Sequence, residues 1–364
     1  DEIYQLLGAV HPNPAVNPNE SYSYDPLGNR TTSHLSASYS HNNANQLLED
    51  DSFKYTYDEN GNLRTKTDKS TSAVTTYTYD SEDRLVRVDL PGGEWAQYRY
   101  DALGRRIEKN VNGLITRYGY DGEDILYEYD GNNNVIAHYT HGLGIDEPLI
   151  MYRDGQSYYY HADHLGSVRR ITGSSGSVSQ SYTYDSFGQI VAQSGSIENP
   201  YSYTGRQYDS DSELYFYRMR IYDPYAGRFL QADPIGFMDG LNLYSYVSNS
   251  PLNWIDPYGL LCREKEDQKT LEAARRILNP AQEVLDKIPD APPKTIFEVI
   301  LRVYDKLLDK NMDTLERYRD QWKDIPYDDN PKHKTVYFDS RNTEAPHEVI
   351  IRGHREYEER TNSE

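Results

Sequence analysis

The chain has 364 residues, room for two or three domains, and a net charge of -20 that is unevenly placed. Half of its 38 basic residues but only 23 of its 58 acidic ones follow Leu260, so the first 260 residues carry most of the negative charge and are excluded as a phosphate-binding surface, whereas the nearly balanced tail is not constrained by charge. The single cysteine, Cys262, excludes an intrachain disulfide, and no apolar run of about 18 residues offers an ordinary membrane span.

The opening residues, DEIYQLLGAV, lack Met and have no signal-peptide shape, so the chain reads as beginning inside a longer gene product. A repeat follows: YSYDPLGNR from Tyr22, YTYDENGNLR from Tyr55, YTYDSEDRLVRV from Tyr77, YRYDALGRRI from Tyr98, YGYDGEDILYEYD from Tyr118 and YTYDSFGQI from Tyr182. Its aspartates are Asp25, Asp58, Asp80, Asp101, Asp121 and Asp185, and the middle spacings of 22, 21 and 20 residues mark a period. Tyr-x-Tyr sets two rings on one face of a strand. Asp then accepts a backbone N–H to start a turn, and Gly three residues on tolerates positive φ, so each unit predicts a β-hairpin. Two copies lack that Gly, Glu82-Asp83-Arg84 and Glu123-Asp124-Ile125, and their turns are expected to differ. Six hairpins make an open antiparallel ribbon with exposed edges, so residues 1–260 are expected to pair with further strands, from a preceding part of the same protein or from another chain. Of the 36 tyrosines only five lie beyond Leu260. Packing and turn chemistry explain the Tyr-Asp pairs; aromatic faces that bind sugar are the alternative.

Residues 201–260 hold two Asp-Pro-x-Gly units, Asp233-Pro234-Ile235-Gly236 and Asp256-Pro257-Tyr258-Gly259, the second at an abrupt change from tyrosine-rich strand spacing to charged helix spacing. Both units read as turns, with Pro fixing φ and Gly supplying positive φ. A pair of carboxyl groups held close can also split into one acid and one base, which is what hydrolysis of a peptide bond requires. The composition break makes this pair a candidate processing site.

Beyond Leu260 the periodicity predicts helices over residues 266–278, 282–288, 297–308 and 312–322, then strands over 334–338 and 348–352. No Walker loop, paired CxxC or HExxH occurs. His347, Glu348, Arg352 and His354, with His333, Lys334, Asp339 and Arg341 before them, are the candidate site of metal-assisted phosphodiester chemistry, the plainer reading being a solvated hairpin. The apolar face of residues 297–308 also raises a membrane-active helix, but its mixed-charge outer face fits a packed soluble one.

The ordered Tyr-Asp series, the segment His161-Ala162-Asp163-His164-Leu165-Gly166-Ser167-Val168-Arg169, and the stretch from Tyr203-Thr204-Gly205-Arg206 to Gly259-Leu260 resemble the Rhs/YD-repeat family over residues 20–260. The resemblance implies a mainly β fold: an antiparallel hairpin sheet (1–200) forming the C-terminal part of a hollow shell, a core that plugs it (201–260), and a small α+β or partly unfolded cargo (261–364). It implies self-cleavage between Leu260 and Leu261 by Asp233 and Asp256, without a cofactor, and a C-terminal toxin of undetermined chemistry. Many members carry Arg just before the first aspartate; here that position is Ala232, and Arg228 is the candidate replacement. The implied partners are the N-terminal shell portion of the same protein, a secretion spike or adaptor and a cognate immunity protein. The implied setting is secretion into target cells, through type VI secretion in interbacterial competition or as an insecticidal toxin-complex component. A non-cleaving surface adhesin that binds carbohydrate is the alternative.

Overall fold

The computed structural model describes residues 4–260; the helices, strands and caged state expected of residues 261–364 lie outside the described residues, as do Leu261, His347, Glu348, Arg352 and His354.

Each hairpin turns on a carboxylate. Oδ1 of Asp25 accepts the N–H groups of Leu27 and Asn29, both at 2.9 Å, while its carbonyl accepts the N–H of Gly28, whose φ is +74°. The same pattern, side chain to the second and fourth residues on and carbonyl to the third, recurs at Asp58, Asp80, Asp101, Asp163 and Asp185. Asp130 and Asn42 build it too, and neither was among the repeat positions read from the sequence. Of the two turns expected to differ, the first does not: Asp83 adopts φ +59° in the place of Gly, a conformation Asp tolerates. The second does differ. Asp121 pairs directly with Asp124 across Gly122 and Glu123, a two-residue turn with Gly122 at φ +59°.

The tyrosines have a reason beyond ring packing. The first of the pair is buried in five of the six copies, at Tyr22, Tyr55, Tyr77, Tyr98 and Tyr182, and half-buried at Tyr118. At the second the strand register slips by one residue, a β-bulge. In four of the six copies its hydroxyl then donates to a carbonyl at the start of a strand in the preceding unit: Tyr79 to Leu63 at 2.9 Å, Tyr100 to Leu85 at 2.7 Å, Tyr120 to Arg106 at 2.7 Å and Tyr184 to Val168 at 2.8 Å. Phenylalanine would bury the same ring and leave that carbonyl without its donor.

Consecutive hairpins zip into one 16-stranded antiparallel sheet, from β4 (Ser40–His41) to β19 (Ile190–Gly195), every strand paired with its sequence neighbours. Ahead of it, β1 (Gly8–Ala9), β2 (Glu20–Tyr24) and β3 (Arg30–Ser33) form a separate three-stranded sheet. After it, β20 (Gln207–Asp209), β21 (Leu214–Tyr217), β22 (Arg220–Asp223) and β23 (Arg228–Phe229) form a four-stranded one. Every residue of β21 and β22 is buried, so both faces of this small sheet are covered. One apolar cluster joins Tyr139, Tyr160, Tyr182 and Tyr184 of the large sheet to Tyr203, Tyr215, Tyr217 and Tyr222. A second joins Tyr55, Tyr77 and Tyr98 to Leu214, Phe216 and Ile221. Ion pairs pin the contact, a buried one from Arg106 to Asp209 and a half-buried one from Lys66 to Asp223. Residues 201–260 are thus packed against the core face of the hairpin sheet, and that packing carries the two Asp-Pro-x-Gly units.

Candidate functional site

Both Asp-Pro-x-Gly units are variants of the repeat turn. Asp233 Oδ1 accepts the Ile235 N–H at 3.0 Å and its carbonyl accepts Gly236 N–H at 3.0 Å. Asp256 Oδ1 accepts the Leu260 N–H at 3.0 Å and its carbonyl accepts Gly259 N–H at 3.4 Å. The difference lies in the second carboxylate oxygen. In several shell turns the fourth residue on supplies its partner: Asn29 to Asp25, Asn62 to Asp58, Arg84 to Asp80, Arg105 to Asp101 and Asn134 to Asp130. After Asp233 and Asp256 that residue is Phe237 or Leu260, which has nothing to donate from its side chain.

Both second oxygens turn instead to Arg220, at the head of β22. Its Nη2 lies 2.8 Å from Asp233 Oδ2 and 3.4 Å from Asp256 Oδ2, so one guanidinium nitrogen stands between the two carboxylates. All three side chains are almost fully buried, at 1%, 4% and 2% exposure. The arginine is fixed independently: Nη1 donates to the Leu243 carbonyl at 3.1 Å, Nε donates to the Gly259 carbonyl, and the guanidinium carbon sits 3.7 Å from the centre of the Phe229 ring. Two buried carboxylates brought to one cation raise each other's proton affinity. Burial pushes Asp233 up to about 6 against the pull of Arg220, with the charge of Asp256 adding to the rise. Asp233 thus holds its proton more readily than an ordinary carboxyl, and Asp256 beside it is hydrogen-bonded to the residue that precedes position 261.

Arg228 is placed differently from the expectation. On β23 it points its Nη2 to the Asn45 carbonyl and lies 5.0 Å from the Tyr244 ring centre, and burial lowers its proton affinity. The cation between the aspartates is Arg220, thirteen residues before Asp233, and sequence reasoning missed it. The available signal was the apolar residue four after each aspartate, which announces a carboxylate oxygen seeking a partner elsewhere.

The sequence profile of the teneurin YD-shell matches residues 3–252. The chain belongs to the teneurin YD-shell family. Within it, the Rhs/YD-repeat toxin resemblance read from the hairpin series is borne out by relatives. The tRNA nuclease WapA of Bacillus subtilis (strain 168) is 37% identical over 276 residues, 71% of this chain and 11% of that protein. The double-stranded DNA deaminase toxin A of Burkholderia cenocepacia (strain H111) is 28% identical over 285 residues, 68% and 20%. The probable deoxyribonuclease RhsA of Dickeya dadantii (strain 3937) is 33% identical over 237 residues, 60% and 16%. The YD-shell chain thus spans about a tenth of the WapA nuclease that it matches. Among solved structures, a crystal structure of TcdB2-TccC3-Cdc42 aligns with a TM-score of 0.44 at 19% identity, over 66% of this chain and 17% of the other. Among the described residues no helix is long and apolar enough to cross a membrane.

Proposed function

We propose that this YD-shell segment cuts its own chain between Leu260 and Leu261 and thereby frees a C-terminal toxin. The observation that carries the reading is the sharing of Arg220 by Asp233 and Asp256, with Asp256 also holding the Leu260 N–H. Ionised Asp256 takes a proton from a water whose oxygen adds to the Leu260 carbonyl carbon. Protonated Asp233 gives its proton to the Leu261 nitrogen as the carbon–nitrogen bond breaks, leaving a carboxylic acid at Leu260, whose proton passes to the new amine at Leu261. Arg220 keeps a positive charge beside the pair and stabilises the anionic oxygen that forms in between. These side chains and one water suffice for the balance of atoms.

The relatives' names, a tRNA nuclease, a DNA deaminase toxin and a probable deoxyribonuclease, support a freed segment that acts on nucleic acid, with His347, Glu348, Arg352 and His354 as its first candidates. Export to target cells, pairing with an N-terminal shell portion, a delivery spike and a neutralising immunity protein complete the proposal. Expression of the full chain and its Asp233→Asn and Asp256→Asn variants, read on a denaturing gel, tests it. Two fragments from the wild type and one full-length band from each variant are expected; identical single bands from all three would reject self-cleavage.

A further inference from the structure

The turn that bears Asp256 is gripped by three consecutive residues. Arg218 donates through Nη1 to the Pro257 carbonyl, the Met219 N–H donates to the Tyr258 carbonyl at 3.1 Å, and Arg220 donates through Nε to the Gly259 carbonyl. The next carbonyl along the chain is that of Leu260. Contact is tight enough that a Cβ on Gly259 would stand 2.6 Å from the Tyr217 carbonyl oxygen.

Arg218 is the unexpected member. It occupies the two-residue turn between β21 and β22 with φ +60°, a conformation that suits Gly or Asn and strains a residue with a long side chain. Its side chain is 8% exposed and fully engaged: Nη2 lies 2.8 Å from Asp146 Oδ1, Nη1 3.1 Å from Asp146 Oδ2, and Nε 3.0 Å from Glu123. Arg206 pairs with the same Asp146, and the two cations hold that carboxyl below its usual range. Glu123 belongs to the turn between β12 (Leu114–Asp121) and β13 (Asp124–Asp130); Asp146 belongs to the loop between β14 (Val135–His141) and β15 (Pro148–Arg153). One guanidinium therefore ties two loops of the large sheet to the Pro257 carbonyl, three residues before Leu260.

We propose that Arg218 is a positioning residue for self-cleavage, aligning the 257–260 backbone on the aspartate pair only when the Glu123 and Asp146 loops of the hairpin sheet are seated. This rests on the self-cleavage proposed above. Its consequence is an order of events: the sheet is complete before the cut is made.

The test uses the full chain, dissolved unfolded from inclusion bodies and diluted into native buffer, with loss of the full-length band followed in time. Amplitude reports the fraction folded; the rate constant reports alignment within it. Arg218→Gly suits the turn backbone and removes only the side chain, and Arg218→Lys keeps the charge beside Asp146. Both are expected to cut about ten- to a hundredfold more slowly, the range a misplacement of about 1 Å produces, with the pH inflection of the wild type retained. Asp146→Asn, which leaves every residue at the cut untouched, is expected to slow cleavage as well, and it decides the matter if Arg218→Gly does not fold. Wild-type rate constants in folded Arg218→Lys and Asp146→Asn, with Asp256→Asn inert, would overturn this inference alone. A wild type that stays as intact as Asp256→Asn would overturn both.

Discussion

Raising the pH through 6 should slow the cut, because the proton that Asp233 delivers is then lost. Its carboxyl titrates at about 6, so about one molecule in ten keeps the proton at pH 7 and about one in a hundred at pH 8. The rate constant should fall about tenfold for each pH unit above 6. The same displacement bears on stability with a definite sign. The folded-state value lies above the ordinary 3.8, so the neutral form is the one that folding favours; the associated stability is complete below about 4 and is lost as pH rises through 6. The size of that loss is on the order of 3 kcal/mol. Asp233→Asn, fixed neutral and able to accept the Ile235 N–H through its amide oxygen, escapes it. At pH 8 the variant should therefore melt no lower than the wild type and yet stay uncut, which separates loss of chemistry from loss of fold. The assay pairs a quenched-gel time course after dilution from urea into buffers from about pH 5 to pH 8 with thermal melts in the same buffers. A cleavage rate that is flat or rising across this range, or an Asp233→Asn chain that is unfolded at pH 8, would refute the assignment of Asp233 as the acid.

Tyr184→Phe keeps the ring but leaves the buried Val168 carbonyl without the hydroxyl that donates to it; a loss of about 1–3 kcal/mol in urea unfolding is expected, and no loss would refute the hydroxyl's part in joining hairpins. Gly188→Ala should be far more harmful than Gly92→Ala. A Cβ at 188 would lie 2.5 Å from the buried Tyr203 ring, whereas one at 92 meets nothing within 4 Å, and the backbone is equally left-handed at both, φ +90° and +91°. Comparable melting temperatures would refute the packing of Tyr203 on that turn. Asp185 is pushed up to about 7 by burial, with Glu20 adding to the rise, so wild-type stability should fall between about pH 4 and pH 7 by up to roughly 1.4 kcal/mol per pH unit. In Asp185→Asn that part of the slope should vanish; an unchanged profile would refute a neutral Asp185 in the fold.

What could be read from the sequence was local. Tyr-x-Tyr-Asp and the Gly three residues on specify a strand, a carboxylate-anchored turn and a left-handed position within a few residues, and Asp58 and Asp101 build that turn as read. The misread turn at Asp83 shows the limit of reading Gly as obligatory, since a short polar side chain also takes positive φ. The partner of the aspartates was not legible because nothing periodic marks it. Arg220 reaches residues 13 and 36 positions away through the packing of the four-stranded sheet, whereas Arg228, nearer to Asp233 in the chain, is drawn to Asn45 and Tyr244. The tyrosine hydroxyls were half legible: their need for partners follows from burial, but the carbonyls they meet are set by the bulge at the second tyrosine.

Intact-mass measurement of the full chain, denatured after folding, bears most directly on self-cleavage. Two masses are expected from the wild type, one ending at Leu260 and one beginning at Leu261, and a single undivided mass from Asp233→Asn, Asp256→Asn and Arg220→Met. An undivided wild type, a boundary elsewhere in the chain, or fragments from Asp256→Asn would contradict a cut made by the aspartates that share Arg220.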